Sequence, residues 1–413
     1  MREMKDSGFE WIGTIPSHWD LTRIGNLYRI RNQKVSDKDF PPLSVTMKGI
    51  VPQLETAAKT NDGDNRKLVR IGDFAINSRS DRRGSCGISS LEGSVSLINT
   101  VLMPLSEMNP QYYNWLFHTV QFADEYYKCG HGIVDDLWTT TWQEMKKIVI
   151  PTPPLDEQKK IAVFLDSRCS EIDALIADIQ AQIETLEQYK RPTIAEAVTK
   201  GINSNAAMKD SGAGWLGEIP SHWKIDKFKY RLTRSEPRNP GNMIVLSLYR
   251  ELGIIPKDSR DDNHNQTSED TSKYKHVKPG NFVVNKMKAW QGSVAVSDYE
   301  GIISPAYYVY KFGDDSFDKK YFHYLLRGCY KDEFMRLSGG MRVGQWDLSA
   351  EDLENTTVII PPLEEQTAIS MYLDKKCSDI DTCVETKKEQ ITTLEAYKKS
   401  IIFEYVTGKK EIV

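Results

Sequence analysis

The stretch from Pro151 to Gly201 limits what this chain can fold into more than any other. Apolar residues recur there every seven positions in two interleaved series, Ala162, Cys169, Ile176 and Ile183 in one and Leu165, Ile172, Ile179 and Leu186 in the other. An apolar period of about 3.5 residues draws a narrow seam along one helix, and such a seam calls for a partner helix. Pro153 and Pro154 block helix upstream, and Asp156 and Glu157 then place carboxylates near the positive end of the helix dipole. The spacing predicts a helix over residues 155–199, roughly 67 Å long at ~1.5 Å per residue. Pro192 is expected to kink or interrupt its last part.

The partner is in the same chain. An offset of 208 carries Pro154 onto Pro362, Leu155-Asp156-Glu157-Gln158 onto Leu363-Glu364-Glu365-Gln366, and Leu165-Asp166 onto Leu373-Asp374. The same offset carries Cys169 onto Cys377, Ile172-Asp173 onto Ile380-Asp381, Tyr189-Lys190 onto Tyr397-Lys398 and Val198-Thr199 onto Val406-Thr407. The second seam runs through Leu373, Cys377, Ile380, Val384, Ile391 and Leu394, with Lys387 as its polar intruder and Ser400 in the place of Pro192.

The repeat extends beyond the helices, which decides the architecture. DSGFEWIGTIPSHW at Asp6 to Trp19 returns as DSGAGWLGEIPSHW at Asp210 to Trp223. Its glycines, proline and tryptophans mark a folded arm, in which His18 and His222 read as capping or packing residues. Residues 25–65 diverge from their counterparts. Similarity resumes at VRIGDFAINS (69–78) and VKPGNFVVNK (277–286), where Phe74–Ile76 and Phe282–Val284 read as short strands. Ser96–Leu105 and Ile302–Tyr310 read as β segments. Tyr112–Tyr127 and Tyr321–Met335 are aromatic helical stretches whose stripes belong to the core. Glycine-rich turns follow at Gly130-His131-Gly132 and Gly339-Gly340, then Trp138 and its match Trp346, then strands at 147–150 and 357–360.

The chain therefore reads as α+β: a globular unit, a long helix, a second globular unit, a second long helix. The expected boundaries are 1–153, 154–205, 206–361 and 362–413. Antiparallel pairing of the helices in a coiled coil would make the molecule pseudo-twofold. At 413 residues, with 39% hydrophobic and 27% charged content, each globular unit can hold its own core. No run is apolar enough to span a membrane, and the first residues show no apolar signal region, so a cytoplasmic location is expected. The six cysteines form no C-x-x-C pair, and Cys129-x-His131 lacks the second half of a metal site. Cys169 and Cys377 are expected to pack in the seam as small hydrophobes. A net charge of −4 neither announces nor excludes nucleic-acid binding, which depends on the local field.

The tandem unit ending in PTPPLDEQ and IPPLEEQ, each followed by a heptad helix and EQYK or EAYK, resembles the specificity subunit of type I restriction–modification enzymes. The DSG…W…G…IPSHW arm is typical of many members, and the resemblance covers essentially the whole chain. It implies two target recognition domains, each reading one half of a split site on double-stranded DNA, with the helices setting their separation. It also implies two methyltransferase subunits as partners, modifying adenine with S-adenosylmethionine, and motor–nuclease subunits using ATP and magnesium. No cofactor is expected in this chain. The sequence carries no ATP-binding G-x-x-x-x-G-K-(S/T), and its Pro-Pro pairs at 41–42, 153–154 and 361–362 are not in the Asn/Asp-Pro-Pro-Tyr/Phe context of an adenine methyltransferase.

Two loops after the shared strands stand out as DNA-binding candidates. The first has Arg79, Arg82 and Arg83 interleaved with serines, Ser78 among them. The second has Lys286 and Lys288 before Trp290 and Gln291, with Lys275 and Lys278 upstream. Arginine can grip guanine with two bonds, glutamine can read adenine, and lysine and serine hold phosphates. Arg342 and Gln345, in the second glycine-rich turn, are further candidates. The competing reading of each cluster is a solvated loop with incidental charge. Two other function classes compete with the DNA reader. One is a purely structural scaffold binding proteins along a coiled-coil spine. The other is a nuclease using Asp156, Glu157 and Lys159, against which the second copy has Thr367 in the place of Lys159.

Overall fold

The computed structural model describes residues 2–55, 62–79, 83–132, 138–241, 243–249, 252–259, 267, 270–340 and 346–412. The chain divides into two compact units, one made of residues 1–180 with 388–413 and the other of residues 181–387. Each therefore combines a globular α+β body, the start of the helix that follows it and the end of the other long helix.

The arm opens each body as a short antiparallel hairpin, Met4–Asp6 on Thr14–Pro16 and Met208–Asp210 on Glu218–Pro220. The next strand pairs with the one that leads into the long helix, Asp20–Arg23 with Val149–Thr152 and Lys224–Lys227 with Thr357–Ile360. The main sheet has four antiparallel strands. In the first unit their order is Cys86–Ile88, Phe74–Asn77, Asn99–Pro104, Tyr28–Ile30; in the second it is Val294–Val296, Phe282–Asn285, Tyr307–Phe312, Leu232–Arg234. Phe74–Asn77 and Phe282–Asn285 are buried along their whole length, as their three-residue apolar runs lead one to expect.

The predicted aromatic stretches are each broken into two helices, Pro110–Phe117 with Val120–Lys128 and Lys319–Cys329 with Lys331–Leu337. Asn109 and Asp318 cap them by accepting from the amides of Tyr112 and Tyr321. Their apolar stripes do enter the core: Tyr112, Tyr113, Leu116 and Phe117 are buried in one unit and Tyr321, Phe322, Leu325 and Leu326 in the other.

The long helices run Leu155–Lys200 and Leu363–Val406. Pro192 does not interrupt the first one, which is continuous through it. Pairing is antiparallel within each unit. In the first, Phe164 packs against Tyr405 with ring centroids 4.4 Å apart while Asp173 takes Lys398 at 2.6 Å. In the second, Lys190 takes Asp381 at 2.8 Å and Gln182 accepts from Lys387. The two ion pairs are one pair written twice, since the repeat carries Asp173 onto Asp381 and Lys190 onto Lys398. Ala162, Leu165, Cys169 and Ile172 are buried, as are Leu373, Cys377, Ile380 and Val384, whereas the mid-helix seam residues Ile176, Ile179, Ile183, Leu186, Ile391 and Leu394 are only partly covered.

The repeated Glu-Gln after Pro-Pro-Leu proves to be a joint. Glu157 takes His18 Nε2 on one oxygen at 2.6 Å and Trp19 Nε1 on the other at 2.9 Å; Glu365 takes His222 and Trp223 at the same two distances. Burial pushes the Glu157 carboxyl up, but the bonds from His18 and Trp19 outweigh it and hold the group below the usual carboxylate range. The next residue ties the helix to the aromatic layer. Gln158 accepts from the Asn109 amide and donates to the Pro153 carbonyl, and Gln366 accepts from the Asp318 amide and donates to the carbonyls of Pro361 and Ser316. Asp166 and Asp374 extend the joint about two turns further, binding Gln111 with Trp115 and Lys320 with Tyr324. At the far ends, Tyr112 donates to the Val406 carbonyl and Tyr321 to that of Val198. Each body is thus closed by the end of the helix that the other body begins.

Candidate nucleic-acid interface

The candidate loops leave the sheet in the same way in both units. The chain exits the buried strand at Ser78, whose amide donates to Ile98 and whose carbonyl accepts from Thr140; Lys286 has Ala306 and Leu348 in those roles. Asn77 and Asn285 turn the next residue by accepting from the amides of Arg79 and Met287. The glycine-rich turn comes back alongside. His131 bridges Thr139, Thr139 bridges Arg79, and Gly339 bridges Asp347. Two regions that the sequence placed apart, the post-strand loop and the glycine-rich turn, therefore lie side by side in each unit.

The side chains they present differ. In the first unit Arg79 is exposed, and the Ser78 hydroxyl is spent on the Ile98 carbonyl. Arg83 pairs with Asp124 and lies with its guanidinium 4.8 Å from the Tyr127 ring. Tyr127 in turn stacks on Trp138 at 5.4 Å, and Trp138 Nε1 donates to the Tyr127 carbonyl. A cation over a tyrosine face gains from the ring quadrupole and is held in a fixed plane. Arg82 lies outside the described residues.

In the second unit Lys278 and Lys288 are exposed, Lys288 leading into the short 3₁₀ turn Ala289–Gln291 with Gln291 half-buried at its end. Lys286 lies 3.5 Å from Asp347. Trp290 meets Trp346 edge-on at 5.6 Å. Arg342 and Gln345 lie outside the described residues.

Lys275 is placed differently from the other lysines. Only 13% of its side chain is exposed, and its ammonium lies 2.8 Å from Glu236 and donates to the Tyr307 carbonyl. Its counterpart Lys67 donates to the Asn99 carbonyl at 2.6 Å, and burial holds that amine below its ordinary pKa. Both lysines fasten a neighbouring strand, Arg66–Val69 or Lys275–Val277, to the start of the third strand of the main sheet. Both are more covered than the exposed Lys278 and Lys288, which the lysine count of the loop could not reveal.

Among the described residues, no group of three or more His, Cys, Asp or Glu is arranged to hold a metal ion, and no helix is long and apolar enough to cross a membrane. Cys169 and Cys377 are buried free thiols, and burial pushes Cys169 up to about 11.

The model of the type I restriction modification DNA specificity domain matches the chain twice, over residues 16–185 and 227–396. The type I restriction enzyme MjaVIII specificity subunit of Methanocaldococcus jannaschii is 26% identical, the match covering 96% of this chain and 93% of that one. The putative MjaX specificity subunit of the same organism is 28% identical over 64% of this chain and 60% of its own. Among solved structures, the HsdS subunit from Thermoanaerobacter tengcongensis superimposes with a TM-score of 0.60 at 17% identity, covering 98% of this chain and all of that one. A chain from a type I restriction–modification system, solved to show complex assembly and conformational transition, gives 0.69 at 16% identity over 96% and 99%. With two copies of the domain filling most of its length, the chain belongs to the family of type I restriction–modification DNA specificity subunits.

Proposed function

We propose that each unit reads one half of a bipartite DNA site through its post-strand loop and the adjoining glycine-rich turn, and that this subunit directs adenine methylation and restriction carried out by partners. The observation that carries this reading is the pairing of a repeated frame with unlike contents. Ser78 and Lys286 hold the same backbone bonds, yet one loop offers arginines beside a Tyr–Trp stack and the other lysines beside a Trp–Trp pair. A common mount with different side chains suits two readers of different sequences.

Catalysis belongs to the partners in this proposal: two methyltransferase subunits using S-adenosylmethionine, and motor–nuclease subunits using ATP and magnesium. The acidic residue that a lone nuclease would need argues for a structural role, because Glu157 is engaged by Arg2, His18 and Trp19. The chain is proposed to act in the cytoplasm, where its DNA is.

Methylation mapping tests the proposal. Co-expressed with its methyltransferase partner in a methylation-free host, the chain should leave modified adenines in a split motif with a fixed gap. Exchange of residues 1–153 for another reader should change one half only. In direct binding, Arg82→Ala with Arg83→Ala, and Lys286→Ala with Lys288→Ala, should each weaken the assembled complex at moderate salt. An active complex that leaves no modified motif would favour the scaffold reading instead.

A further inference from the structure

We propose that Arg234 is a base-reading residue of the second unit, held by Glu236 and Tyr308 so that the end of its guanidinium is presented to a guanine. This rests on the DNA-reading function proposed above.

Arg234 ends the edge strand Leu232–Arg234 and lies opposite Tyr310 in the register. Along an extended chain, residues two apart share a face. Glu236 accordingly meets the guanidinium from the side, 2.9 Å from Nε and 3.1 Å from Nη2. The guanidinium carbon lies 4.8 Å from the Tyr308 ring, which fixes the plane of the fork. Behind the pair stands the framework lysine: Lys275 Nζ is 2.8 Å from the same Glu236 oxygen and donates to the Tyr307 carbonyl. Burial pushes the Glu236 carboxyl up, and the bonds from Arg234 and Lys275 outweigh it, so the buttress stays ionised.

Arginine has five donors. Glu236 accepts one from Nη2 and lies 2.9 Å from Nε. Nη1 and the second Nη2 hydrogen form no hydrogen bond with the described residues, and 43% of the side chain is exposed. That end-on edge is suited to bridging O6 and N7 of a guanine in the major groove. The position adjoins the candidate interface, since Tyr308 lies opposite Val284, two residues before Lys286, on the neighbouring strand.

The first unit lacks this device at the same place. In its register Ile30 lies opposite Leu102 where Arg234 lies opposite Tyr310. Thr100 stands for Tyr308 and Asn32 for Glu236, while the framework lysine, Lys67, is kept. Arg234 therefore reads a base pair of the second half-site alone. Glu236 and Tyr308 are positioning residues.

The test uses the chain assembled with its methyltransferase partner and a pool of randomised duplexes, sequencing both bound and methylated sites. Arg234→Gln is expected to cost one position of the second half its guanine preference by tenfold or more, leaving the first half unchanged. Glu236→Gln should relax the same position several-fold with little change in total affinity, which a merely structural role would not do. Arg234→Lys keeps the charge beside Glu236 and guards against misfolding; it should weaken the guanine preference while sparing affinity on other sequences. An unchanged motif in the arginine variants overturns the proposal with the DNA-reading function intact. A uniform loss on all sequences, with a shallower salt dependence and the motif preserved, makes Arg234 a phosphate contact and also overturns it. If the wild-type complex itself selects no motif, both readings fall together.

Discussion

In both units a glutamate holds a histidine at 2.6 Å and a tryptophan at 2.9 Å, from the corresponding point in the first turn of that unit's own long helix. In both units, too, an arginine lies 4.8 Å from a tyrosine ring beside a carboxylate. The joint, however, uses residues that the repeat superimposes, while the stacked arginines occupy unrelated places, Arg83 after the second strand of the sheet and Arg234 on its edge. The framework repeats residue by residue; the face that carries the candidate readers repeats only a chemical idea. Two bodies with one scaffold can therefore differ in what they recognise without differing in how they are held.

The comparison can be broken most strongly at the seam. Leu165 and Leu373 are both fully buried. Leu165→Ala and Leu373→Ala should each cost about 2–5 kcal/mol in urea unfolding, from lost burial and the cavity left behind. Costs far apart would show that the two joints are not equivalent packings.

A smaller effect should expose a difference inside the framework itself. Gly408 and Gly201 follow the ends of the two helices with φ of +68° and +74°. An alanine at either pays about 1–2 kcal/mol for the left-handed backbone. At Gly408 the added carbon would also sit 2.6 Å from Pro16 and 2.8 Å from Trp19, against 3.3 Å from Trp223 at Gly201. Thermal melting should therefore rank Gly408→Ala as the more damaging of the two.

The smallest effect concerns pH. The Glu157 carboxyl is depressed in the folded protein, so its contribution is complete above the ordinary carboxylate pKa and fades as pH falls through the lowered value. Glu157→Gln should lower stability by about 1–2 kcal/mol near neutral pH, as loss of a charge-assisted bond does. The gap between variant and wild type should narrow under acid. A gap that widened in acid would contradict the assigned role of the carboxylate.

Much of this framework was legible in the sequence, because a seam and a repeat are both matters of spacing. The heptads gave the long helices and the offset of 208 their partnership; the same offset relates the two ion pairs that the structure shows between Asp173, Lys190 and their copies. The work of Glu157 and Gln158 was not legible. A helix N-terminus already accounts for a carboxylate there, and only tertiary contact brings His18 and Asn109 to it. The candidate interface was half legible. Counting charges marks the loops, but it weighs Lys275 the same as Lys288 although one is largely covered and the other exposed. In the sequence Arg234, a lone arginine near turns, looks like ordinary surface. Its signal was the Arg-x-Glu spacing on an extended run, which puts both side chains on one face.

The two units also differ in when they can be finished. The second is one continuous stretch, residues 181–387, so every residue it needs has been made once that stretch has left the ribosome. The first takes its closing helix from residues 388–413, where Ile401, Ile402 and Val406 enter its core and Val406 receives Tyr112. The N-terminal body must wait for residues 388–413, its aromatic layer uncapped in the meantime. A truncated or nicked C-terminus would accordingly injure the N-terminal reader, the one farthest from it along the chain.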